Sequence, residues 1–164
     1  MKWRRFQDAV DKALNMFARY QIMPTDRDRV SRLYYACYHV AIAAIELKAD
    51  YHKLREGLKN TFSYHAALQE IYPKIYGKPT EDNKHKVKIV SGKAGKSLKI
   101  WHELRVVADY VIFGNQFEDH HKDRTLEHIR HMESFVAAHF QYFLNNHKNK
   151  LEEPQLAAIE GINT

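Results

Sequence analysis

The chain has 164 residues, 45% of them hydrophobic and 28% charged. That length supports one hydrophobic core, and that balance excludes a chain disordered throughout. A formal charge of +6, on a surface that must also carry much of the 11 His, favours contact with phosphate-bearing partners such as RNA or a nucleotide.

Only 6 Gly and 4 Pro punctuate the sequence, which favours a few long helices over many strands and turns. The single cysteine, Cys37, excludes an internal disulfide and a multi-cysteine zinc site. Among Tyr35, Ala36, Tyr38 and Val40 it reads as a small buried apolar residue. The first residues, Met1 to Asp8, carry positive charge without an apolar run behind it, unlike a secretory signal. No window approaches the ~18 apolar residues of a membrane span, so a cytoplasmic location is expected.

The first helix is expected over Trp3–Tyr20, where Trp3, Phe6, Val10, Ala13, Leu14 and Phe17 recur at three- and four-residue steps. Pro24 breaks the chain, and Thr25 or Asp26 can cap the next helix. That helix, about Arg27 to Ala49, is apolar over much of its circumference. Ala36, Ala41, Ala43 and Ala44 let neighbours approach closely, which places it at the centre of a bundle.

A third helical region lies between Tyr51 and Ile75, clearest from Tyr64 to Tyr72, ahead of Pro73. Tyr76 to Lys96 reads as irregular; Val87 and Ile89 alternate, but a lone strand makes no stable sheet. Ser97 is expected to cap a fourth helix to about Phe113, with Trp101, Leu104, Ala108 and Val111 inward. A fifth should run from Asp123 to about Asn146, with Leu126, Ile129, Phe135, Val136, Phe140 and Phe143 as core. The expectation is an all-α, up-and-down bundle of four to five helices over residues 1–148. Residues 149–164 form a C-terminal tail with a loose turn or one further short helix.

Three features invite chemistry. Ser91 to Ser97 resembles a nucleotide phosphate loop, but the required first glycine falls on Val90. A basic loop that touches RNA phosphate through Lys93 and Lys96 fits better. His120, His121, His128 and His131 cluster, and Glu118-x-x-His121 has the spacing of half a di-iron carboxylate site. The remaining ligands of such a site are missing, so a polar face rich in imidazole is favoured over a metal-binding bundle.

The third feature is the fourth helix, where His102, Arg105 and Asp109 share a polar stripe at i, i+3 and i+7. As a surface ion pair, Arg105 and Asp109 would contribute only ~0.3–0.5 kcal/mol. As a site, Arg105 would hold phosphate while His102 or Asp109 handles a proton. Arg32, Tyr35 and His39 repeat that spacing on the second helix, beside its buried face, and read as a ligand groove or an interface.

The segments Ser31-Arg32-Leu33-Tyr34-Tyr35-Ala36-Cys37-Tyr38-His39-Val40-Ala41 and Leu104-Arg105-Val106-Val107-Ala108-Asp109-Tyr110 resemble the HEPN domain family. The second is similar to the Arg-x-x-Ala-Asp-Tyr segment of one prokaryotic branch, and the resemblance spans about Asp8 to Ala138. It implies a homodimeric helical bundle with a role in RNA-targeting defence or toxin–antitoxin systems, often beside a nucleotidyltransferase partner. Active members are metal-independent ribonucleases that need no cofactor, with a signature Arg-x(4–6)-His.

After Arg105 the histidine positions hold Tyr110, Val111 and Ile112. Arg32–His39 and Arg124–His131 have the right spacing, but a chain with 11 His produces such pairs by chance. The resemblance therefore implies either a ribonuclease using Arg105, Asp109 and His102, or a non-catalytic module. The latter would bind a nucleotide or a nucleotidyltransferase through Arg32, Tyr35, His39 and Tyr110.

Overall fold

In a computed structural model, the residues described are 3–48, 64–76, 94–110 and 116–162. They are helical almost throughout and contain no strand. Six α-helices occur among them: α1 (Arg4–Gln21), α2 (Asp26–Glu46), α3 (Tyr64–Tyr76), α4 (Ala94–Tyr110), α5 (Gln116–His147) and α6 (Glu153–Ile162). None is long and apolar enough to cross a membrane. The Val87–Ile89 alternation lies outside the described residues.

Helix α2 is the centre of the molecule. It packs against α1, α3, α4 and α5, and buries Leu33, Tyr34, Cys37, Ala41 and Ala44, among others. The small residues along it allow that many neighbours, as close backbone approach requires. Thr25 starts it: the hydroxyl accepts a hydrogen bond from the Asp28 amide at 3.2 Å, and Asp26 and Asp28 place negative charge in the first turn. Thr25→Ala should therefore lower stability by about 1 kcal/mol, readable as a lower urea midpoint at unchanged slope.

Elsewhere the helices extend beyond their sequence signals. Helix α3 continues through Pro73 to Tyr76. An interior proline costs a helix about 3 kcal/mol, and burial of Leu68, Ile71 and Tyr72 on the same helix opposes that cost. Helix α4 begins at Ala94, so Ser97 lies inside it instead of capping it. Helix α5 begins at Gln116 and runs 32 residues. Its buried stripe passes through Thr125 (1% exposed), Ile129, Met132, Phe135, Val136, Phe140 and Phe143. Leu126, expected in the core, is 43% exposed, because the stripe takes the neighbouring threonine instead.

The C-terminal segment docks as a helix. Gln155 on α6 donates to the Gln7 carbonyl at 2.9 Å and to Asp11 Oδ1 at 2.7 Å, and Gln7 Nε2 donates to the Lys150 carbonyl at 2.9 Å. Ile159 and Leu151 are buried beside these bonds, so apolar burial and satisfied amides together hold α6 to α1 and α5.

Candidate functional site

Three helices bring a polar cluster together where α2, α3 and α4 meet. Arg105 of α4 is at its centre and is only 6% exposed. Its Nη1 donates to Asp109 Oδ2 at 3.4 Å, one turn along the same helix, and its Nη2 donates to His102 Nε2 at 3.2 Å. The guanidinium carbon lies 5.4 Å from the Tyr35 ring centroid and 5.7 Å from that of Tyr34. Aromatic faces attract a cation that has lost much of its water. A surface ion pair is thus not what this stripe forms: the arginine is buried, and of the two paired side chains Asp109 reaches towards solvent.

His65 of α3 completes the cluster, a residue that spacing along one helix does not identify. Its ring centroid is 4.8 Å from His102 and 4.5 Å from Tyr38, and its Nδ1 shares a hydrogen bond of 2.7 Å with the Tyr34 hydroxyl. The only signal for it in the sequence is its register with Leu68 and Tyr72 on the buried face of α3.

The electrostatics follow from this packing. Burial is the main cause lowering the pKa of His65 to about 4, with His102 and Arg105 beside it acting in the same direction. His102 is lowered too, by burial and then by Arg105, with Glu103 opposing. An arginine can only donate, so His102 Nε2 must be an unprotonated acceptor, in agreement with a neutral ring. Burial raises the Tyr34 hydroxyl well above the usual phenol range despite the opposing Arg105 charge, so it keeps its proton. At neutral pH the cluster is two neutral imidazoles and a phenol around one permanent cation.

A second strip runs along α2. The Tyr35 and His39 rings stack with centroids 6.5 Å apart, and Tyr38 meets His39 edge-to-face at 5.1 Å. Arg32 is half-buried, and its Nε has no hydrogen-bond partner among the described residues. Burial, followed by Lys12 and His65, holds His39 down to about 4. Arg27, at the start of α2, donates from Nε to the Ala108 carbonyl near the end of α4 and ties the two helices together.

The structure thus joins His102, Arg105 and Asp109, and sets Tyr35 against Arg105 and His39 against Tyr35. Tyr110 is the last residue of α4 and Lys96 lies in its first turn, but their side chains, like all of Lys93, fall outside the described residues. Of the imidazole cluster, His131 is exposed and His128 half-buried, while the side chains of His120 and His121 are outside the description. Among the described residues no group of three His, Cys, Asp or Glu side chains is arranged to hold a metal ion. Comparison of the chain with protein-family models, curated proteins and solved structures finds no match.

Proposed function

We propose that the cluster at the α2–α3–α4 junction is an RNA-directed site that cleaves a phosphodiester without a metal, in a HEPN-like bundle. One observation carries this reading. A buried guanidinium is fixed by His102 and Asp109 on one helix, with a second imidazole, His65, brought to it from another. Cleavage by the ribose 2′-hydroxyl needs a base for its proton, positive charge beside the phosphorus oxygens, and an acid for the departing 5′-oxygen. Arg105 supplies the charge. Asp109 positions it.

The histidine lacking after Arg105 in sequence is supplied in space. With its Nδ1–H donated to the Tyr34 oxygen, His65 presents a bare Nε2 to take the 2′ proton. The His65 imidazolium so formed returns that proton to the leaving 5′-oxygen, while neutral His102 holds the Arg105 guanidinium through its Nε2. The net charge of +6 supports attraction of the polyanionic substrate. Within this reading the chain works as a homodimer, in the toxin–antitoxin or defence setting implied by the resemblance.

The depressed pKa of His65 also favours a second reading. An imidazole held at about 4 is a weak base at neutral pH. The same cluster would then bind a nucleotide or a nucleotidyltransferase partner without catalysis. Incubation with single-stranded RNA in chelator separates the two. Cleavage that Arg105→Met abolishes supports the nuclease, and binding without cleavage by the folded protein supports the binding module. The pH profile adds a check: kcat/KM should be lost only as pH falls through about 4, not 6.5, because the unprotonated base is the active form.

A further inference from the structure

The neighbouring cleft between α1 and α2 has no part in the chemistry described so far. It is a shallow, open groove with a volume of about 440 Å³. Arg5, Asp8 and Lys12 of α1 line it on one wall, and Tyr38, His39 and Glu46 of α2 on the other. We infer that this cleft is a subsite for an unpaired nucleobase of single-stranded RNA, adjoining the phosphate held at Arg105. The inference rests on the RNA-directed reading of that cluster.

Three observations carry it. The cleft and the cluster share a residue: Tyr38 lines the cleft, and its ring lies 4.5 Å from His65. A row of rings leads from one to the other, since Tyr35 is 5.4 Å from the Arg105 guanidinium and stacks on His39 at 6.5 Å. A strand whose phosphate sits at Arg105 therefore passes along aromatic faces into the cleft, the kind of platform on which unpaired bases stack.

The charge balance points the same way. Two cations and two carboxylates line the cleft, so it has no net attraction for a phosphate. It instead offers donors at Arg5 and Lys12 beside acceptors at Asp8 and Glu46. A base edge carries both kinds of group, and a phosphate carries only acceptors. His39 is held neutral by burial and by the neighbouring Lys12, so its ring presents a flat, uncharged face. A volume of 440 Å³ is within the ~300–1,000 Å³ of sites that hold small ligands. A duplex keeps its bases stacked inside and cannot fill the cleft.

The test measures binding apart from cleavage. A short single-stranded oligonucleotide with 2′-O-methyl riboses cannot be cut by its own 2′-oxygen; its abasic counterpart keeps the backbone and lacks the bases. Fluorescence anisotropy with the full chain should show the abasic strand binding roughly tenfold or more weakly. His39→Ala should weaken the intact strand by a similar factor and leave the abasic strand unchanged. Lys12→Ala, on the exposed surface of α1, should also weaken only the intact strand, and serves where His39→Ala disturbs folding. Equal binding of intact and abasic strands by the native protein, or discrimination that survives both substitutions, overturns the subsite. Discrimination without cleavage of ordinary RNA overturns the nuclease chemistry and leaves the subsite standing. Loss of cleavage sensitivity to the bases with cleavage itself intact does the reverse.

Discussion

Arg105→Met should lower RNA cleavage by about two to three orders of magnitude, the usual consequence of deleting a preorganised donor from a site of developing charge. Methionine is chosen because the arginine stem is buried: it keeps apolar volume against Tyr34 and Tyr35 while removing the guanidinium. The loss should appear in kcat as well as kcat/KM, since the phosphoryl charge that the guanidinium meets grows towards the transition state. Arg105→Lys should not restore activity, because an ammonium cannot reproduce the fork that contacts His102 and Asp109 together. An unchanged rate in a folded Arg105→Met protein would remove Arg105 from the chemistry.

The second large effect is on stability in acid, and comes from a histidine remote from that cluster. His139 of α5 is fully buried. Its Nδ1–H donates to the Phe135 carbonyl at 2.6 Å, so its Nε2 accepts from the Tyr72 hydroxyl of α3 at 2.5 Å. The neutral ring satisfies both nitrogens, and a second proton would put an uncompensated charge in the core and reverse the bond from the Tyr72 hydroxyl. Burial lowers its pKa to about 4, with the Phe135 carbonyl opposing.

The direction follows from proton linkage. Between about pH 6.5 and 4 the unfolded chain takes up the proton and the folded chain refuses it. The stability fully present above 6.5 is therefore lost progressively as pH falls to 4, by roughly 3 kcal/mol from this one group. His39 and His65, also lowered to about 4, act in the same window with smaller effect because water screens them. Urea melts across this range measure the loss. The double substitution Tyr72→Phe with His139→Leu removes both polar partners at once, so neither is left unsatisfied. It should stay near native stability at pH 7 and flatten the pH dependence. A dependence that stays unchanged would exclude His139 as its source.

These two sites differ in how far they were legible in sequence. The apolar steps of Phe6, Val10, Ala13 and Phe17 identify α1, and the apolar girth with its alanines identifies α2 as central, because both signals are local periodicities. Ends are less legible. Ser97 has the chemistry of a cap, yet Ala94 to Lys96 are helical ahead of it, so the local option is not taken. Leu126 yields its expected core place to Thr125 because neighbours on a helix differ by about 100° in direction. A small shift of the packed face decides which of them is buried.

The chemistry divides along the same line. His102, Arg105 and Asp109 share one helix, so their meeting follows from spacing alone. His65 meets them only through the packing of α3 against α4, and nothing in the linear order records that contact. The burial of Arg105 is tertiary as well. It depends on Tyr34 and Tyr35 of α2 lying across the guanidinium, which makes a solvated stripe into an enclosed cation.

The most direct measurement is a single-turnover assay on single-stranded RNA in excess chelator, comparing the native protein with His65→Ala and Arg105→Met. The proposed site predicts cleavage by the native protein that leaves 2′,3′-cyclic phosphate ends. It also predicts that a 2′-deoxy substitution at the cut nucleotide stops that cleavage, and that either variant loses most of the rate. Absence of cleavage by folded native protein, or an undiminished rate in both variants, would contradict it.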